Sequence, residues 1–256
     1  MGFAEAFRRC FTDSLTFARA LPLVFLALVA VEGLQHVAEW SIGFYISLDT
    51  FKQHANDAER MGPGLIKVLL SYTVLYWIAR WAASGRNART AWRADPVAIR
   101  RFAVVVALST VSGLFQLEGA SAIHAAGLDL KTANLIVLII MLVTYPLGFL
   151  LLPWVAGSAL GGEPIGPLES VRLARGSLWW AFGLTLAAML PLMVLHYVLG
   201  YAAVGKPMAV LVPMLALDTL VAGFLIVVIN QTMVLSAQRM LLRNGRTLQC
   251  DGGTFV

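Results

Sequence analysis

The chain has 256 residues, of which 59% are hydrophobic and 13% charged, with a mean hydropathy of +0.78 and a formal charge of +5. A soluble domain carries about 25% charged residues, so this chain has too little polar surface to cover itself in water, and roughly 20 residues per span let its length hold six spans but no soluble catalytic domain besides. Its basic residues lie beside apolar runs, which points to anionic phospholipid headgroups as partners and not to nucleic acid.

Taken in chain order, the apolar runs predict an all-α polytopic protein with spans at about 18–38, 64–83, 102–123, 132–156, 177–200 and 209–237. Arg8, Arg9 and Arg19 ahead of the first run allow a cleaved signal, but the run continues to Trp40, and the later spans need it as an uncleaved helix. Lys67 and Arg80, near the ends of the second span, are expected to snorkel to the headgroups. Glu118 interrupts the third span late, and Asp218 breaks the sixth. No domain boundary or flexible linker divides the chain. Cys10 and Cys250 map to the same side as the termini, where thiols stay reduced.

The arginines orient the bundle. Arg8, Arg9, Arg19, Arg80, Arg86, Arg89, Arg93, Arg100, Arg101, Arg172, Arg175, Arg239, Arg243 and Arg246 all fall in segments that one topology places together, leaving Arg60 opposite. Cytoplasmic flanks accumulate Lys and Arg, so both termini are expected inside. Trp77, Trp81, Trp92, Trp154, Trp179 and Trp180 fall near that same interface, as a belt does. Each of three hairpins is entered through a basic stretch: Phe3 to Leu15, Asn87 to Arg101, and Pro167 to Leu178. In the first, Phe3, Phe7, Phe11 and Leu15 recur every four residues, the pattern of a helix lying in the interface. On the opposite side, Phe44, Tyr45, Leu48 and Phe51 predict a short helix resting on the leaflet.

Between the fourth and fifth spans stands Ser170-Val-Arg-Leu-Ala-Arg-Gly176, followed by Trp179. This stretch resembles the cytoplasmic segment of the YciC-like inner-membrane proteins, and equally that of the membrane domain found with some bacterial glycerophosphodiester phosphodiesterases. It departs from them at Val171, where an aromatic is usual. The resemblance covers some twenty residues by motif and implies a bacterial inner-membrane protein with no assigned reaction; the phosphodiesterase chemistry belongs to a soluble barrel. Physically, Pro164 and Pro167 would start a helix with Glu169 near its positive end. Arg172 and Arg175 would share a face three residues apart, able to meet phosphate, and Gly176 would permit a bend.

Carboxylates within spans are costly and are functional candidates by default. Glu32, Glu118 and Asp218 are the three, and His36, His124, His196 and His54 all map to the same side as the first two. Packing of the first, third and fifth spans would bring Glu32, His36, Glu118 and His196 together, a set able to hold zinc or relay protons. Asp218 otherwise finds a hydroxyl such as Ser109, Thr110 or Ser112, and Asn230 and Gln231 bridge helices. No local metal motif, nucleotide loop or nucleophile motif occurs, and no cofactor is expected.

The sequence therefore predicts a non-catalytic inner-membrane protein. It would bind lipid or a membrane-protein partner through Arg86, Arg89, Arg93, Arg172, Arg175, Trp179 and Trp180. The alternative is a small transporter using Asp218 with Glu32, His36, Glu118 and His196; a metal-dependent membrane hydrolase is a third class.

Overall fold

The computed structural model describes residues 1–55 and 57–248; Cys250 lies outside the described residues. Among them are eleven helices and no strand: α1 (Phe3–Ala20), α2 (Pro22–Ser41), α3 (Leu48–Gln53), α4 (Ala58–Ala83), α5 (Ala88–Trp92), α6 (Pro96–Ala125), α7 (Leu130–Leu150), α8 (Leu152–Ser158), α9 (Pro167–Ala174), α10 (Leu178–Ala203) and α11 (Met208–Leu242). Six of these, α2, α4, α6, α7, α10 and α11, are long and apolar enough to cross a membrane. The chain is an all-α, multi-pass membrane protein.

Proline sets several boundaries that hydropathy misplaces. Pro22 cannot donate a hydrogen bond and forces Leu21 out of helical geometry (φ −125°, ψ 62°), so the chain breaks there. The first span consequently starts at Pro22 and runs on to Ser41, three residues past the expected end. Pro153, just inside α8, closes α7 at Leu150, so the fourth span is shorter than the expected run to 156. The second span is longer than expected, because α4 begins at Ala58 and passes through Pro63. Side chains cap several starts: Asp95 accepts from the Val97 and Ala98 N–H groups, and Asp129 from Thr132 N–H at 3.0 Å.

The chain forms two compact units. One comprises Met1, Leu75–Gly183 and the segment from Met233; the other comprises Gly2–Val74 and Leu184–Thr232. In the first, α6 and α7 pair as a hairpin, and Gly119 admits Val137 at the close approach. Phe149, Leu152, Ala156, Ala174, Ala181, Ala237 and Met240 make its core. Arg80 is buried there and does not snorkel. Its guanidinium donates to the carbonyls of Ala91 (3.2 Å), Arg93 (2.9 Å) and Ala159 (3.3 Å), lies 3.8 Å from Asp95, and stacks over Tyr76. Arg101 donates to Gly162 O at 2.6 Å, Arg243 to Gly176 O at 2.8 Å, and Arg246 pairs with Glu169. Arg80, Arg101 and Arg243 thus tie carbonyls at loops and helix ends, which have no ladder partner of their own.

In the second unit, α1 buries Ala6, Cys10, Asp13, Ser14 and Phe17. The Phe3, Phe7, Phe11, Leu15 stripe is the other face, exposed or half-buried. The segment after α2 departs further from expectation. Phe44 and Tyr45 belong to a turn, not to the short helix, which begins only at Leu48 behind a Ser47 cap. Both rings are buried against Ala203, Leu211 and Leu215, and Tyr45 O accepts from Gly205 N–H at 2.8 Å. That turn is pinned into the core through Phe44 and Tyr45, while Ile46 and Leu48 stay exposed.

Candidate functional site

The second half of α2 carries Glu32, Gln35, His36 and Glu39, at i, i+3, i+4 and i+7. That spacing aligns them on one face, and all four are buried. Gly33 and Gly223 let α2 and α11 approach. A Cβ on Gly33 would stand 3.8 Å from Thr219, and one on Gly223 would stand 3.0 Å from Val29. This close packing delivers Asp218, fully buried on α11, to the polar face of α2. His196 comes from α10, and Lys67 and Arg60 from α4.

The contacts form one network. Lys67 Nζ donates to Glu32 Oε2 (2.8 Å) and Gln35 Oε1 (2.9 Å), so it pairs within the unit and does not snorkel. Arg60 Nε donates to Glu39 Oε1 at 2.9 Å, and Gln35 Nε2 donates to the same oxygen at 3.1 Å. Tyr45 OH donates to Glu39 Oε2 at 2.5 Å. Burial first, and then the Glu39 charge, push the Tyr45 hydroxyl well above its ordinary pKa, which keeps this proton in place. His36 Nδ1 lies 2.9 Å from Glu39 Oε2 and 2.8 Å from the Tyr45 hydroxyl oxygen. His196 Nδ1 lies 2.8 Å from Asp218 Oδ1.

These partners assign the His36 tautomer. Glu39 only accepts, so Nδ1 carries the proton, and in the neutral ring Nε2 holds a lone pair. That Nε2 stands 3.0 Å from Asp218 Oδ2 and 4.0 Å from Glu32 Oε1. Neither His36 Nε2 nor Asp218 Oδ2 has an aligned hydrogen bond among the described residues, although both are buried. Two acceptors facing each other at that distance repel unless a proton or a metal ion lies between them. Ligand atoms of Glu32, His196 and Asp218 also lie within 4.8 Å of one another. With neutral imidazoles the network holds Glu32, Glu39 and Asp218 against Lys67 and Arg60, one negative charge in excess.

Access and surroundings bear on what this network does. An open cleft of about 450 Å³ is lined by Trp40, Tyr45, Ile46, Lys206 and Met208 among others, and Tyr45 is the lining residue that belongs to the network. On α11 the ten residues from Leu220 to Ile229 are all apolar, a dry stretch of about 15 Å. Beyond it Asn230 Nδ2 donates to Ser71 O at 3.3 Å, and Thr185 and Thr232 exchange a hydrogen bond at 2.9 Å. Asn230 thus bridges helices as expected. Gln231 does not show that role: its buried Oε1 has no partner among the described residues. Proline lies inside α4, α10 and α11 at Pro63, Pro191 and Pro213, each four or five residues before Lys67, His196 and Asp218.

Of the residues singled out from sequence, Glu32, His36, His196 and Asp218 converge. Glu118 does not join them; it belongs to the other unit, where it is exposed on α6. His54 pairs locally with Asp57 at 2.6 Å, and His124 faces Leu128 O at 2.8 Å. Asp218 has imidazole partners and not hydroxyls. Gln35, Glu39, Tyr45, Arg60 and the pairing of Lys67 went unread. The i, i+3, i+4, i+7 spacing was the available signal, obscured by ending the first span at Ala38.

The basic and tryptophan residues expected to meet lipid or a partner lie in the first unit. Arg86, Arg89, Arg93, Arg172 and Arg175 are exposed, as is Trp179, while Trp180 is half-buried with Arg239 stacked on its ring at 4.4 Å. Arg172 and Arg175 do not share a helix face, because α9 ends at Ala174 and Arg175 is already extended (ψ 132°). Gly176 makes the expected bend at φ +73°. Comparison with protein-family models, with curated proteins and with solved structures gives no match, so the functional reading rests on this geometry.

Proposed function

We propose that this membrane protein binds a cation in the Glu32–His36–His196–Asp218 cluster and acts as a non-catalytic module whose helix packing responds to that charge. The observation that carries the reading is the approach of His36 Nε2 to Asp218 Oδ2 at 3.0 Å without an aligned hydrogen bond. Burying charge without a partner costs several kcal/mol, so a cluster with one negative charge in excess gains from a positive ion. Tyr45, which lines the open cleft and bonds Glu39, supports entry from that side. The apolar stretch of α11 favours binding over passage, since a transporter needs polar groups along its whole path.

Asp218→Asn tests this reading by thermal unfolding of the full chain in lipid nanodiscs. If Asp218 supplies the excess charge, Asn costs no more than about 1 kcal/mol in chelated buffer, the scale of a net hydrogen bond, and abolishes any stabilisation by added cations. If Asp218 is only half of a structural ion pair, the loss is about 3–5 kcal/mol with or without cations. That second result contradicts the proposal.

A second reading concerns the basic surface. Leu168 and Trp179 are 79% and 78% exposed beside the exposed Arg172 and Arg175, a pairing of apolar and cationic groups that suits anionic headgroups. By the positive-inside bias we place this surface and both termini on the cytoplasmic side of a bacterial inner membrane. The likeness of Ser170 to Gly176 to the YciC-like proteins fits that placement.

A further inference from the structure

We infer that the cation is a divalent transition metal of the zinc class, held by Glu32, Asp218, His196 and His36. This rests on the cation-binding reading above and narrows it. Ligand atoms about 2.0–2.1 Å from a tetrahedral zinc stand roughly 3.3 Å from one another. The atoms here are pre-arranged near that figure: 3.0 Å from His36 Nε2 to Asp218 Oδ2, 4.0 Å from His36 Nε2 to Glu32 Oε1, and within 4.8 Å across Glu32, His196 and Asp218. Small contractions of side chains on three helices complete the shell.

The ligand types select the metal. Two imidazoles with two carboxylates suit zinc and its neighbours, whereas magnesium and calcium take oxygen ligands. The surroundings have the second-layer order that metal-bound histidines show, in which the far ring N–H goes to a carboxylate. His36 Nδ1 is held by Glu39, whose oxygens also receive Gln35, Arg60 and Tyr45. Glu32 keeps Oε1 for the metal while Oε2 takes Lys67. His196 must exchange its proton contact with Asp218 for a metal bond, or coordinate through its other nitrogen. In the first case the neutral ring changes tautomer, its proton leaving Nδ1 and one arriving at Nε2, with no net release.

The test uses the full chain in nanodiscs, stripped with chelator and titrated with cobalt(II) and then zinc. Wild type and His54→Ala should both show the intense visible bands of tetrahedral cobalt and retain one zinc per chain by elemental mass spectrometry. Asp218→Asn and His196→Ala should each weaken zinc binding at least about 100-fold, beyond the range of second-layer losses, and Glu39→Gln by about 10–100-fold. Glu39→Gln serves as the positioning variant, because it keeps all four ligands. Zinc held equally by Asp218→Asn and wild type, or no tetrahedral cobalt spectrum in wild type, overturns the assignment. If cobalt and zinc leave wild type silent while another cation or acidification raises its unfolding temperature, only the metal identity falls. If nothing raises it, the cation reading falls as well.

Discussion

Glu39 receives four donors, Gln35 and Arg60 on one oxygen and Tyr45 and His36 on the other. A carboxylate so saturated is fixed both as an anion and in orientation, and it passes that orientation to the His36 ring. Cys10 shows the opposite use of burial. Its thiol is pushed from 9.0 up to about 12, first by desolvation and then by Asp13, so the reactive thiolate is suppressed at neutral pH. In a Cys250→Ser chain, iodoacetamide should label Cys10 slowly in the folded protein and rapidly once it is unfolded; equal rates would contradict its burial. The pH linkage has a definite sign. Below the unfolded value of 9.0 both states keep the proton and stability is unaffected. Above it the unfolded thiol ionises first, so stability falls as pH rises toward about 12.

Helix geometry explains why the cluster was only half legible in the sequence. Six spans follow from apolar runs that no soluble fold would tolerate, and Glu32 with His36 follows from a separation of four. Glu39 was lost because α2 runs on to Ser41, past the end of its apolar run, carried by hydrogen bonds that its own polar face makes to α4 and to the turn at Tyr45. Lys67 and Arg60 lie 35 and 21 positions from their carboxylate partners, and no local pattern encodes such a pairing. Arg80 was misread for the same reason: its partners are loop carbonyls, which carry no residue-type signal. The α2–α11 contact underlies all of this. In a chain without Cys10 and Cys250, Val29→Cys with Gly223→Cys should form an intramolecular disulfide under mild oxidation. The added Cβ lies 3.0 Å from a Val29 methyl carbon, and disulfides need Cβ atoms about 3.5–4.5 Å apart. Val29→Cys with Leu220→Cys should not cross-link, since Leu220 is exposed. Equal cross-linking of the two pairs, or none, would place α2 and α11 differently.

Across the whole molecule the charges divide into two kinds of work. In one unit arginines tie loop carbonyls and leave an exposed cationic, tryptophan-bearing surface; in the other, acids and imidazoles are buried together. The first pattern was read from sequence as topology, and the second needed the tertiary structure to join residues from three helices. The central claim is that the buried cluster binds a cation, and linkage tests it most directly. A ligand that binds only the folded chain raises stability by RT ln(1 + [L]/Kd). Unfolding of the wild-type chain in nanodiscs, followed against increasing zinc from a chelated start, should therefore be flat at first and then climb by about 1.4 kcal/mol per tenfold rise in free zinc. A stability that stays level across the titration, with zinc, with other cations and on acidification alike, would contradict the account.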